Sequence, residues 1–356
     1  MTRKTAPRLL LVLLLAASTA AIAAKSKNSS MPRKPAALLE IATQNNGLVG
    51  PGLQPWHLQA TYQLYNAKGK PAQKGTFNEW WAAPDKYKIT FDRPNFHYVF
   101  YFTPQGAYYS KDTVPQQDEM RLVHWLIAPV PESQNLKGYT LKQITDKVGH
   151  TRFDCLLVVP PAKRNPMVGT EPRMYCLAPD KPMLQFVETT NPRRPSGALY
   201  TSIGKLQGRY IGLDLNVGFR KRPEVTAHVD SGEVLTHPVN SMFAPPPAQI
   251  PHLIHVPATA KNAPFMTPAI TLSGKRLNYP NFAKMLQQQG EVLVNGIIGT
   301  DGTLQQLKVV SSPSPILTQS SMQWLHSLHY RPYKLSGTPI PVRLQIHVTF
   351  TPRGGR

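Results

Sequence analysis

From Trp56 onward the apolar residues recur at every second position, and that period leaves few architectures open to the middle of the chain. In "HLQATYQLY", Leu58, Ala60, Tyr62 and Leu64 alternate with Gln59, Thr61 and Gln63, which buries one face of an extended strand and leaves the other wet. "YKITF" and "HYVFYF" repeat the pattern with Tyr87, Ile89 and Phe91, then Tyr98, Phe100 and Phe102. Short loops such as Pro84-Asp85, Arg93-Pro94-Asn95 and Pro104-Gln105-Gly106 separate the runs and turn the chain back on itself. Further extended runs lie at "TRFDCLLVV", "RMYCLA", "PMLQFVETT", "ALYTSIGKL" and "YIGLDLNVGF". Helical spacing is confined to Pro35–Gln44 and "QQDEMRLVHWLI", where Met120, Val123, His124 and Ile127 share a face. Hairpin following hairpin predicts a large antiparallel sheet with few helices. Aromatic residues crowd between Trp56 and Tyr109, as a thick core or as the lining of a concavity that holds an apolar ligand.

The chain has 356 residues and a net charge of +21, enough length for two domains with cores of their own. Such charge first suggests nucleic acid, but the amino terminus points elsewhere. Arg3, Lys4 and Arg8 precede an apolar stretch from Leu9 to Ala24 with small residues at Ala21 and Ala23, the order of a secretory signal. It falls short of the roughly 20 residues that span a bilayer as a helix. Residues 1–23 are therefore read as a cleaved leader and the mature chain as periplasmic, with a retained inner-membrane anchor as the alternative. Outside the cytoplasm the cations would meet anionic lipid, cell-wall polymer or an acidic protein face rather than nucleic acid.

Cys155 and Cys176 are the two cysteines, and in an oxidising compartment an isolated pair is read as a structural disulfide. His252 with His255, and His326 with His329, stand three apart, but neither pair has the third ligand a zinc site needs. No serine elbow, paired carboxylates or phosphate-cradling glycine loop appears, so no catalytic residue, metal or cofactor is assigned and the chain is not read as an enzyme.

Residues 24–52, polar and small, read as a flexible tether, and residues 53–247 as the antiparallel domain. Residues 248–276 carry Pro251, Pro257, Pro264 and Pro268 and read as a semi-stiff linker. Residues 277–352 then divide into helix, strand, strand, helix, strand. Asp301-Gly302 turns the first two strands, Thr318 is the expected cap of the second helix, and Val342–Phe350 forms the last strand. This predicts a small α/β domain of two helices and a three-stranded antiparallel sheet, and an α+β chain overall.

These tail residues resemble the TonB carboxy-terminal domain family. The similarity is carried by Tyr279, Pro280 and Ala283 before the first strand, Gly290 opening it, and Asp301 and Gly302 at the turn. It continues through Tyr330-Arg331-Pro332 after the helix and Gly337-Thr338-Pro339-Ile340 before the last strand. The resemblance implies β-augmentation, in which the outer edge of the last strand (Val342, Arg343, Leu344, Gln345, Ile346, His347 and Val348) receives an extended peptide of an outer-membrane receptor or another envelope protein. The chain departs from that family in having no polar residue beyond Ser18 and Thr19 between Leu9 and Ala24, and a folded sheet stands where a long Pro-rich rod is expected, so energy transduction is not implied. The segment from Tyr62 to Ser110 is in turn similar to the LolA/LolB-like lipoprotein carrier superfamily, an open half-barrel over a helix. That implies an alternative role, the carriage of lipid or lipoprotein on an apolar concave face.

Overall fold

The computed structural model describes residues 31–32, 34–161, 171–190, 196–219, 222–258 and 263–351; the expected leader lies outside these described residues. The first element is a helix, α1 (Pro35–Asn45), whose Leu38, Leu39 and Ala42 are buried, as is Leu48 just beyond it. This part of the expected tether is thus a piece of the core, because three apolar side chains on one helical face find a sheet to cover.

That sheet begins with β1 (Trp56–Tyr65), β2 (Pro71–Ala83), β3 (Lys86–Arg93), β4 (Phe96–Thr103) and β5 (Gly106–Ser110). After α2 (Gln117–Ile127) it resumes with β6 (Thr140–Val148), β7 (Thr151–Val159), β8 (Arg173–Leu177), β9 (Leu184–Thr189), β10 (Ser196–Leu206), β11 (Arg209–Phe219) and β12 (Arg222–Val234). A last strand, β13 (Leu253–Pro257), pairs with β5 inside the segment expected as linker. Proline at its end is tolerated because this is a sheet edge. The order is β13-β5-β4-β3-β2-β1-β12-β11-β10-β9-β8-β7-β6, an open sheet with two free ends.

Period-two burial holds along β1, where Trp56, Leu58, Ala60, Tyr62 and Leu64 all face the interior. Each large side chain so buried contributes about 1.5–3 kcal/mol. In β4 the alternation fails: Val99 and Tyr101 are buried as well as Tyr98, Phe100 and Phe102. The segment around Phe243 and Gln249 lies over the outer face there, and the Tyr101 hydroxyl donates to Gln249 Oε1 at 3.2 Å. Cys155 and Cys176 are cross-strand partners on β7 and β8 and form a disulfide.

The remaining elements are β14 (Met266–Thr267), β15 (Ile270–Ser273), α3 (Asn281–Met285), β16 (Gly290–Ile298), β17 (Leu304–Ser311), α4 (Pro315–His326), β18 (His329–Arg331), β19 (Tyr333–Leu335), β20 (Thr338–Ile340) and β21 (Val342–Phe350). β17, β16 and β21 form the three-stranded sheet, as expected. Helix α4 starts earlier than expected: Ser314 Oγ accepts the Leu317 N–H at 3.3 Å, with Pro315 in the first turn. Proline fixes the helical φ and lacks the N–H that would go unpaired there, so Thr318 falls inside the helix, its hydroxyl donating to the Ser314 carbonyl at 3.0 Å.

The tail does not form a core wholly its own. Tyr333, Leu335, Ile340 and Val342 join the same apolar cluster as α1, α2 and the inner face of the large sheet, and the Tyr87 hydroxyl meets Ser336 Oγ at 2.9 Å. The hollow of the sheet is filled by two helices and by this segment of the tail.

Candidate functional site

β21 lies at one edge of its sheet, paired with β16 without interruption from Gly290↔Phe350 to Ile298↔Val342. The Arg343 N–H points away from β16 and donates to the Pro115 carbonyl at 2.9 Å. Because strand groups alternate, the N–H and C=O of Gln345 and His347 point outward too, whereas those of Leu344, Ile346 and Val348 face β16. No main-chain partner meets Gln345 or His347 among the described residues. On the other edge, the β16–β17 pairing breaks register twice, and Gln306 sits at φ 51°. Such bulges twist an edge away from further pairing.

The side chains of β21 divide as the alternation predicts. Val342 and Val348 are buried, Leu344 and Ile346 half-buried, and Arg343 and Gln345 exposed. Gln345 Nε2 donates across the strand to Asn295 Oδ1 at 3.1 Å, and His347 Nδ1 meets Glu291 Oε1 at 2.8 Å.

The outward edge opens into a cleft of about 1640 Å³ between the tail and the large sheet, with Gln116, Arg121, His124 and Arg173 on the far side and β15 through Arg276 on the near side. Arg121 bridges Asp118, at 3.4 Å, and Glu224. Burial alone would lower the Arg121 pKa, but Glu224 and Asp118 outweigh it and raise it. His124 is held neutral, first by burial and then by the guanidinium groups of Arg173 and Arg121.

The position where the cleft meets β21 is fixed by a group that the sequence reading passed over. Glu119 is fully buried and accepts from the Tyr62 hydroxyl at 2.5 Å, Arg93 Nε at 2.6 Å and the Gln116 N–H at 2.7 Å. A buried carboxylate is tolerated when so fully bonded. It caps α2 and anchors Pro115–Gln116, and Gln116 makes a parallel bridge with Arg343. The sequence signal was the spacing of Gln116 and Glu119, the reciprocal cap of a helix start.

The motif residues of the tail are placed as parts of the scaffold. Tyr279 packs edge-on against Phe350 at 5.4 Å and donates to the Gln288 carbonyl. Pro280 immediately precedes α3, its carbonyl accepting the Lys284 N–H at 3.0 Å, and Gly290 opens β16 at φ +133°. Asp301 accepts the Thr303 N–H at 2.9 Å within a turn running from Gly299 to Thr303, longer than a two-residue hairpin. Gly302, at φ +82°, admits Tyr330, whose N–H donates to its carbonyl at 2.8 Å; a Cβ there would lie 1.9 Å from the Tyr330 oxygen. Pro332 separates β18 from β19. Cys155 and Cys176 sit in a separate small cluster with Phe186. Among the described residues, no group of three or more His, Cys, Asp or Glu could hold a metal ion, and no helix is long and apolar enough to cross a membrane.

Residues 275–352 match the family model described as the Gram-negative bacterial TonB protein C-terminal. No curated protein matches the chain. Among solved structures, a LolA superfamily protein from Nitrosomonas europaea is similar over 59% of this chain and 97% of its own, at 8% identity and a TM-score of 0.40. The TonB carboxy-terminal domain of Pseudomonas aeruginosa is similar over 27% of this chain and 94% of its own, at 22% identity and a TM-score of 0.23. MucB is similar over 83% of this chain and 97% of its own, at 12% identity and a TM-score of 0.30. The family match over residues 275–352 spans the motif residues on which the TonB resemblance rests.

Proposed function

We propose that this is an envelope protein of the periplasm whose β21 edge captures an extended peptide from an outer-membrane receptor by strand addition. One observation carries the reading: the unbulged edge strand turns the unmatched main-chain groups of Gln345 and His347 into an open cleft. A guest strand that completes those groups gains directional hydrogen bonds, each worth about 0.5–1.5 kcal/mol net. The TonB family match over residues 275–352 supports the class of partner. Carriage of lipid or lipoprotein is the less supported role, because the inner face of the large sheet is covered by α1, α2 and the tail residues Tyr333, Leu335, Ile340 and Val342.

The test is a backbone scan of a bound peptide. A peptide from the periplasm-facing segment of an outer-membrane receptor is titrated against the full chain, and its amides are N-methylated one at a time. Strand addition predicts a loss of roughly fivefold or more in affinity at alternate positions and little between them. A flat profile would remove the reading.

A further inference from the structure

We infer that the guest of this cleft is an acidic extended segment, one that threads between the two parts of the molecule and ends against Pro115–Gln116. This rests on the reading of β21 as the capture edge.

The inference comes from which charges in the cleft are already matched. Asp118 and Glu224 share the Arg121 guanidinium, Glu291 is hydrogen-bonded to His347, and Glu171 is engaged as well, so the lysines and arginines lining the cleft outnumber its carboxylates. On the basic side, Arg222 donates to the Ala67 carbonyl at 2.9 Å and Arg173 lies over the Trp125 ring at 5.7 Å. Lys275, Arg276 and Arg343 also line the cleft, are exposed, and have no carboxylate partner among the described residues. The cleft therefore presents three cations without a carboxylate partner, Arg343 on the edge strand itself and Lys275 and Arg276 on the segment that follows β15.

The two features demand one guest. Main-chain pairing asks for an extended backbone, whose side chains alternate between faces. One face meets the half-buried Leu344 and Ile346 beside the exposed Leu272, so apolar residues are accepted there. The unmatched cations select acids for the rest, since opposite charge across an interface chooses the partner and speeds its encounter. Pro115–Gln116 fills the outward position at Arg343, which leaves the Arg343 guanidinium, rather than its N–H, for the guest.

The test uses the full chain and two end-capped synthetic peptides, one alternating valine with glutamate and one alternating valine with lysine. The glutamate peptide should bind about tenfold more tightly at low salt, a gap that narrows as salt rises. A K275E/R276E/R343E variant, checked for folding by circular dichroism, should reverse the order. Equal binding of both peptides, or a preference for lysine in the native chain, overturns the charge inference while strand addition stands. Binding of neither peptide overturns both.

Discussion

At position 79 a glutamate occupies a place in the alternation that belongs to an apolar side chain. It faces the interior between Phe77 and Trp81, fully buried, and neither carboxylate oxygen has a hydrogen-bond partner. Burial pushes its pKa well above the usual carboxylate range. The folded chain thus keeps a proton that the unfolded chain has lost, so stability falls as pH rises through the ordinary carboxylate range and on toward the folded pKa. Replacing Glu79 by Met should raise stability at neutral pH by about 1–3 kcal/mol and flatten that decline; urea unfolding at pH 5 and pH 8 checks both. Glu119 is the opposite case, a carboxylate whose burial is matched. Glu119→Ala would strand Arg93 and Tyr62 without their partner, and should cost about 3–5 kcal/mol by the same unfolding measurement. Neither role is legible from residue type, since both glutamates stand beside apolar neighbours and only the surrounding fold supplies or withholds partners.

Among the elements, strands were the most legible. The period of two placed Leu58–Leu64, Tyr87–Phe91 and Val342–Phe350 on strands, because half-burial writes itself into alternate positions. The buried face of β1 in the structure is the one that alternation marks. Helix starts were less so: Ser314 and Thr318 are both able to cap, and Pro315 decides between them. The part played by the Gln116–Glu119 pair in anchoring β21 depends on Arg343, over 200 positions away in the chain, and no local pattern encodes that. The Cys155–Cys176 bridge between β7 and β8 closes a separation of 21 residues, for which chain-entropy arguments give about 3 kcal/mol. Replacing both cysteines by serine should lower the melting temperature by a corresponding amount and leave peptide affinity unchanged, as the bridge lies in a cluster apart from β21.

At the scale of the whole molecule, the sequence divides into two folding patterns, but the structure does not keep them apart. Leu335 and Ile340 lie in one apolar cluster with Trp56 and Phe91, a meeting of distant segments that only tertiary packing determines. The Pro-rich stretch between the patterns reads as a linker from composition, yet β13, β14 and β15 within it pair with β5, β19 and β18. A shared core predicts a single unfolding transition by calorimetry, with no earlier step for the tail; two separated transitions would show independent units. The capture edge depends on this union, since the large sheet supplies the far wall of its cleft. Residue-resolved amide hydrogen exchange of the full chain, with and without a saturating receptor peptide, tests the central claim most directly. Strand addition at β21 predicts marked slowing at Gln345 and His347; a saturated complex in which those two amides exchange as fast as in the free protein would contradict it.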